Sequence, residues 1–566
     1  MSPPGLMDDV DAVQAQIARN MLTSGDWVIA RLDGVPYLEK SPLIYWLIAF
    51  SYRIFGVHDW SARIPVALGA VLLAWIVWRY SRWAFGAVAG FYSGLALATC
   101  VGLFLFTRIQ IPDVMLTLCV CVAFWSFQRA LDEQETRPRL WAALLAASLG
   151  VGVMLKGLIA LVTPIGGVIL YLAVTRQLFS RAVWKRLHVF TGALIILAIA
   201  APWHVLATLR MPPYFNFTLH SGPGEYHGFF WFYFINEHVL RFLNLRYPRD
   251  YNTVPRLAFW LLHLLWLFPW SAFFPAVVGL SFAPVDRAGR TRLLALCWTS
   301  FLLLFFTFST TQEYYSMPVY SALALLLGSA MASESRWVQV STRLVGVVAM
   351  LAAVAIGAIL VAVRHIPTPG DISGALQQHP EAYTLSLGHV GDLTLASFAY
   401  LRLPLLVAGI AFLIGASGAW LLKGRHAFVA IAAMMVVFFH ASRLALIKFD
   451  PYLGSRPLAQ ALLTSPPGQL ILNGEYYSFS SVFFYTGRTA LLLNGRVNNL
   501  EYGSYAPGSP SVFIGDAQFA ELWSKPERSY VLTDAEDLSH LTRIVDMASL
   551  HKVAESGGKL LLANQP

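Results

Sequence analysis

Charge is what this sequence has least of. Only 13% of its 566 residues are Asp, Glu, Lys or Arg, about half the roughly 25% of an ordinary soluble domain. A soluble globule of this length could not cover its surface, so that class is excluded. Cysteine is nearly absent as well, and Cys100, Cys119, Cys121 and Cys297 all sit in apolar stretches. Cys119 and Cys121 are too close for a zinc CxxC and have no partner pair, which leaves them as core or lipid-facing residues. No internal repeat or low-complexity tract is visible, and residues 1–20 contain no signal peptide or apolar anchor.

What is present is hydrophobicity. Apolar residues make up 57% of the chain and aromatics 14%, and the mean hydropathy is +0.59. A bilayer span needs about 20 mostly apolar residues. Twelve runs qualify: 62–79, 84–106, 111–129, 139–155, 158–175, 188–206, 256–283, 292–309, 314–333, 343–363, 402–422 and 426–447. The loops between them alternate. One set is short and basic, carrying for example Arg79 and Arg82, Arg137 and Arg139, Lys185 and Arg186, and Lys423 and Arg425. By the positive-inside rule these face the cytoplasm. The net charge of +9 therefore reports topology, not nucleic-acid binding. The other set, 1–61, 207–255, 364–401 and 448–566, is longer, richer in His, Pro and aromatics, and must face outward. An even number of spans places both ends outside, so a further helix ahead of residue 1 is expected.

The chain divides into an acidic outer loop with interfacial helices (1–61), a membrane domain (62–450) and a soluble α/β domain (451–566). Residues 11–22 and 42–56 read as surface helices, the second anchored by Tyr45, Trp46 and Tyr52. In the C-terminal part, 469–472, 480–485, 490–493, 511–514 and 529–532 are strand-like, and 517–523 and 537–544 are helical. That domain has no glycine-rich phosphate loop and no His/Cys ligand cluster.

Ionisable groups retained in so apolar a chain are the informative ones. Six clusters fall on the outer side: Asp8-Asp9-Val10-Asp11, Tyr37-Leu38-Glu39-Lys40, Arg108 with Asp113, Lys156-Gly157, Glu237-His238 with Arg241, and Glu313-Tyr314-Tyr315. Each has a plain structural explanation. Acids at a helix start complement its dipole, Glu39 and Lys40 can form a local ion pair, and Glu237 and Arg241 are an i,i+4 pair. Their coincidence on one face instead suggests a single site, in which Lys and Arg hold a phosphate and a carboxylate activates an acceptor.

At these residues the chain resembles a known family. Ala15–Leu22, Gly25-Asp26-Trp27, Gly34–Trp46, Phe55-Gly56 and Ala62-Arg63 look like the opening of the lipid A aminoarabinose transferases, relatives of the protein O-mannosyltransferases within the GT-C membrane glycosyltransferases. Met154–Gly157, Glu237–Phe242 and Phe268-Pro269-Trp270 continue the likeness, which covers roughly residues 8–330. The resemblance implies a fold of thirteen spans with a C-terminal periplasmic domain. It also implies transfer of a sugar from a polyprenyl (undecaprenyl) phosphate to a lipid, glycan or protein acceptor at the periplasmic face of the bacterial inner membrane, with inversion.

One departure stands out. Counting back from Glu39, the family's catalytic Asp falls at Val10, flanked by Asp9 and Asp11, and its Arg and Tyr fall at Val13 and Gln14. Asp9 or Asp11 is therefore the expected catalytic carboxylate. Tyr37, Glu39, Lys40, Arg108, Lys156, Glu237, His238, Arg241 and Tyr314 are expected to bind substrate. Glu39, Asp113 and His238 are the candidates for a divalent metal, whose requirement the sequence leaves open. The alternatives are a transporter or flippase for polyprenyl-linked sugars, which would place its charges near the bilayer midplane, and a polysaccharide polymerase. No nucleic-acid partner is expected, and oligomeric state is not legible.

Overall fold

The computed structural model describes residues 3–249, 253–309, 311–333, 335–377 and 386–566. Residues 250–252 and 378–385, which belong to two of the long outer loops read from the sequence, lie outside the described residues. Two helices, α1 (Val10–Ser24) and α2 (Leu43–Phe55), precede the first span. Between them is a two-residue hairpin, β1 (Arg31–Leu32) and β2 (Val35–Pro36). Gly25, at φ 71°, closes α1, and its N–H bonds to Met21 O. One face of α2 is buried, while Phe50, Ile54 and Phe55 are exposed, as expected for a helix lying in a membrane interface.

The bundle begins with α3 (Asp59–Phe85), α4 (Ala87–Ala98), α5 (Val101–Phe106), α6 (Asp113–Leu131), α7 (Pro138–Lys156) and α8 (Ile159–Val174). Among the described residues, eight helices are long and apolar enough to cross a bilayer, or nine if Arg256–Trp266 and Trp270–Val278, bent by 95°, form one span. The outer ones face lipid: only 17% of the apolar window of Arg336–Ala362 is buried within the protein. Each of the twelve apolar runs contains helix, but the count of twelve full spans is not confirmed. The 84–106 run breaks at Cys100, whose backbone is extended, and the Val101 N–H bonds across to Phe268 O at 3.3 Å. Helix α8 has 16 residues and Met317–Met331 has 15, both short for a full crossing.

Two ends of the bundle are chemically distinct. At one, Arg129 pairs with Glu135, Arg186 donates to Ala130 O at 2.7 Å and Arg287 to Asp132 at 2.9 Å, which gathers three of the basic loops. At the other, Lys156 ends α7 beside Asp113, which begins α6. All four cysteines are free and at least partly buried.

Helix Gly424–Leu453 runs into the C-terminal domain, whose sheet contains β3 (Gln469–Asn473), β4 (Leu491–Leu493), β5 (Phe513–Ile514), β6 (Ser529–Asp534), β7 (His551–Ser556) and β8 (Lys559–Ala563). The strand order is β5-β4-β3-β6-β8-β7, with β3, β4, β5 and β6 parallel and β8 antiparallel to both β6 and β7. The strand expected over 480–485 is instead a helix, Ser480–Thr486. It is buried against α1 and helix Arg456–Thr464, and an apolar run buried on all sides has no periodicity to separate helix from strand. A single apolar core runs from Leu73 in the bundle through Tyr45 in α2 to Phe483 and Leu472 in the C-terminal domain.

Candidate functional site

The site is built outward from the segment that follows β2. Tyr37 and Glu39 are buried there, and the Tyr37 hydroxyl donates to Glu39 Oε2 at 2.7 Å. Lys40 pairs with Glu39 Oε1, and Arg241 reaches the same oxygen at 3.3 Å. Burial alone would raise the Glu39 carboxyl, but Lys40, Arg241 and Arg246 together hold it below the ordinary carboxylate range. Burial works against the Lys40 ammonium, yet Glu39 keeps its pKa raised.

Glu237 and His238 lie in a stretch wound as a π-helix over Trp231–Leu240, and Arg241 follows it directly. Glu237 pairs with Arg241 at i,i+4, as its spacing predicts, and also with Arg246. His238 has a packing role. Its Nδ1–H donates to Tyr233 O at 2.6 Å and its Nε2 accepts the Leu158 N–H at 2.9 Å. Burial lowers its pKa, so the ring stays neutral. It is packed against Gly157, which sits at φ 70° and where any Cβ would collide with the His238 and Tyr233 side chains. Ser41 bonds to the Tyr233 hydroxyl and donates to Val153 O at 2.9 Å, tying α7 to the Glu39 segment.

Lys156 pairs with Asp113, and its ammonium stands over the Tyr314 and Tyr315 rings at 5.2 and 4.5 Å. Lys156 lies close enough to Lys40 and Arg241 to interact with both electrostatically, so this pair and the Glu39 group form one cluster.

The C-terminal domain completes the cluster with two residues, Tyr477 and Asn499, that are not candidates on sequence grounds. Asn499 Nδ2 donates to Glu39 Oε2 at 2.7 Å, and its Oδ1 accepts from Arg246. The Tyr477 hydroxyl donates to that of Tyr37 at 3.0 Å. Tyr477 follows β3 and Asn499 follows β4, so the carboxyl ends of parallel strands face the membrane site, the usual ligand-facing edge of such sheets. Tyr502, a turn beyond Asn499, is buried and its hydroxyl donates to Gly228 O at 3.1 Å, pinning the segment that leads into the π-helix.

The two candidate carboxylates have different surroundings. Asp11 is 1% exposed, and its oxygens accept from the N–H groups of Met7 and Gln110 at 3.1 and 3.0 Å and from Arg63 at 3.2 Å. Burial raises its pKa, with Arg63 pulling against it. This carboxylate organises the chain around it. Asp9 is exposed, at φ 69°, with its N–H on Tyr477 O at 2.8 Å and its carbonyl accepting from Ser480 at 3.1 Å. Tyr477 thus touches both Asp9 and Tyr37. Asp8 fastens α1 to the C-terminal domain, pairing with Lys559 at 2.6 Å.

Two expectations are corrected. Arg108 is placed with Arg63 and Asp450, its guanidinium 4.3 Å above the Phe104 ring, and not in the Glu39 cluster. Burial, with Arg63 and Arg443, pushes its pKa down to about 10. Glu39, Asp113 and His238 do not form a metal site: the first two are paired with cations and both nitrogens of the third are used. Among the described residues, no three His, Cys, Asp or Glu side chains are disposed to hold an ion.

Comparison with known proteins agrees with this architecture. Over 99% of its length the chain superposes on ArnT of Cupriavidus metallidurans bound to undecaprenyl phosphate, covering 94% of that chain with a TM-score of 0.77 at 22% identity. The chain has the fold of that protein. The family model for dolichyl-phosphate-mannose-protein mannosyltransferase matches residues 39–205, a stretch that contains Glu39, Lys40, Asp113 and Lys156. Undecaprenyl phosphate-alpha-4-amino-4-deoxy-L-arabinose arabinosyl transferases are similar in sequence. That of Aeromonas salmonicida is 30% identical over 56% of this chain and 54% of its own length. That of Pseudomonas fluorescens is 30% identical over 60% and 56%. The chain thus spans little more than half the length of these relatives, and it resembles the GT-C membrane glycosyltransferases in both fold and sequence.

Proposed function

We propose that the chain is a GT-C glycosyltransferase of the bacterial inner membrane. It moves a sugar from a polyprenyl phosphate to a lipid, glycan or protein acceptor at the periplasmic face, lipid A being the acceptor that the resemblance read from the sequence suggests. The observation that carries this reading is the charge balance of the cluster. Lys40, Lys156, Arg241 and Arg246 face Glu39, Glu237 and Asp113, one positive charge in excess in a buried setting. A sugar polyprenyl phosphate is a phosphodiester with one negative charge, so the balance suits it. The likeness to a protein whose structure holds undecaprenyl phosphate supports a polyprenyl phosphate as the carrier that the sugar leaves.

In this reading the acceptor group attacks the anomeric carbon from the face opposite the phosphate. The new glycosidic bond forms as the bond from that carbon to the phosphate oxygen breaks, which inverts the centre. The acceptor proton passes to the carboxylate of Asp9, an exposed residue whose backbone N–H bonds to Tyr477 O. The departing polyprenyl phosphate gains negative charge, and Lys40, Arg241 and Lys156 offset it at a place from which water is largely excluded. Asp11 holds the loop before Asp113 through Gln110.

The test is reconstitution of the full chain in liposomes with radiolabelled sugar polyprenyl phosphates and outer-membrane lipid extract. Label moving into an acceptor in the presence of the wild-type chain, and not with Lys40→Gln, supports transfer. Labelled donor crossing the bilayer unchanged would make the chain a flippase instead.

A further inference from the structure

A cavity of about 280 Å³ opens where α1, the start of α3 and the C-terminal domain meet. Its walls are Arg19, His58, Asp59, Arg456, Phe484 and Tyr485, none of which belongs to the Glu39 cluster. The volume is many times the roughly 30 Å³ of a water molecule. Arg19, Arg456 and Asp59 supply its charged lining, and Asp450 lies within electrostatic reach of Arg456. Arg19 uses Nη1 to donate to Phe484 O at 2.5 Å, which fixes its fork across the C-terminal end of helix Ser480–Thr486. Arg456 lies 5.3 Å above the Tyr485 ring and 3.9 Å from Asp59, whose other contacts include the Tyr485 hydroxyl at 3.3 Å. Aromatic support of this kind orients a guanidinium towards a bidentate anion.

The surroundings of the cavity say what kind of anion. The His58 ring stacks on Trp60, 5.7 Å between centroids and 11° between planes, and the Trp60 ring in turn meets Phe55. Trp60, Phe55, Ile54 and Phe50 are all exposed, so the His58 wall continues into the apolar face of α2. A cavity lined by two guanidinium groups and rimmed by exposed aromatic and aliphatic side chains at a membrane interface matches an amphiphile with a phosphate head group. Arg19 lies ten residues beyond Asp9, the proposed base at the start of α1, about 15 Å along the helix axis, so the cavity is separate from it.

We infer that this cavity binds the phosphate of a membrane amphiphile, with its acyl tail along Phe50, Ile54 and Phe55. Free phosphate shares the head-group chemistry but has no use for the apolar rim. The inference does not depend on the transfer reaction.

The test uses the full chain in neutral detergent and titrates dioctanoyl phosphatidic acid, inorganic phosphate and dioctanoylglycerol separately, counting bound equivalents by native mass spectrometry. Arg19→Gln/Arg456→Gln should weaken one equivalent of phosphatidic acid at least tenfold. Arg19→Lys/Arg456→Lys should stay within about threefold of wild type, and Lys40→Gln/Arg241→Gln should leave that equivalent in place. If the first double variant does not elute as a folded protein, Arg456→Gln alone, at a half-exposed position, carries the comparison. Unchanged phosphatidic acid binding in the folded variant overturns the site. Inorganic phosphate binding as tightly as phosphatidic acid overturns the lipid assignment and makes it a site for free phosphate.

Discussion

Asn499 of the C-terminal domain donates to Glu39 of the N-terminal outer segment at 2.7 Å, and its carbonyl oxygen accepts from Arg246. One neutral side chain therefore spans a carboxylate and a guanidinium that lie 207 positions apart in the chain, and makes the soluble domain part of the membrane site. Asn499→Ala should lower transfer about tenfold or more while the protein stays folded, because Glu39 and Arg246 lose a shared partner in a buried setting. Asn499→Asp should be worse, since it places a second carboxylate against Glu39. Steady-state rates with a labelled donor, alongside thermal unfolding in detergent, separate the two effects.

Gly157 tests the packing between Lys156 and His238. Its φ of 70° and ψ of −151°, a combination essentially reserved for glycine, and the collision any Cβ would have with His238 and Tyr233 predict that Gly157→Ala costs more than the roughly 1–3 kcal/mol of backbone strain alone. A drop in melting temperature of several degrees is expected, together with loss of transfer. Wild-type stability in this variant would mean that the His238 contact is loose.

The two acids of α1 should separate by phenotype. Asp11→Asn leaves Arg63 buried with its carboxylate partner neutralised, so it should cost about 3–5 kcal/mol of stability. Asp9→Asn, at an exposed position, should cost less stability than Asp11→Asn and lower turnover at least a hundredfold, the scale of a lost general base. The reverse pattern would move the catalytic role to Asp11.

Asp33 gives a pH dependence with a definite sign. It is 7% exposed in the β1–β2 hairpin, and it accepts the Ala490 N–H of the C-terminal domain at 3.3 Å. Burial pushes its carboxyl up to about 7, well above the roughly 3.9 of an unfolded chain. The docked protein therefore holds a proton that the undocked chain has already released, and stability falls as pH rises from about 4 towards 7. Asp33→Asn should flatten that part of the curve and raise the melting temperature at pH 8 relative to wild type. Parallel curves for the two proteins would show that Asp33 is not protonated in the fold.

Much of this site was legible because ionisable residues are conspicuous in an apolar chain. Glu39, Lys40, Asp113, Lys156, Glu237 and Arg241 drew attention for that reason, and the structure gathers them. Tyr477 and Asn499 did not, since a polar residue is ordinary in a soluble domain and only docking brings these two to Glu39. Arg108 misled for a related reason: it sits five residues before Asp113, but the turn at 107–112 sends it towards Arg63 while Asp113 heads α6 towards Lys156. Asp9 and Asp11 were equal in sequence, and hydrogen bonding separates them, with Asp11 enclosed by Met7, Gln110 and Arg63. Helix Ser480–Thr486 was misread as a strand because its apolar residues are buried all round.

The central claim is that Lys40 and Arg241 hold the phosphate of a polyprenyl-linked sugar while the sugar departs. It is tested most directly by quantifying the polyprenyl phosphate released from a defined sugar polyprenyl phosphate, by mass spectrometry, in proteoliposomes with an acceptor lipid. Wild type should release polyprenyl phosphate in step with glycosylated acceptor, and Lys40→Gln/Arg241→Gln should release at least a hundredfold less while remaining folded. Equal release by the two proteins, or acceptor-independent movement of intact donor, would contradict the account.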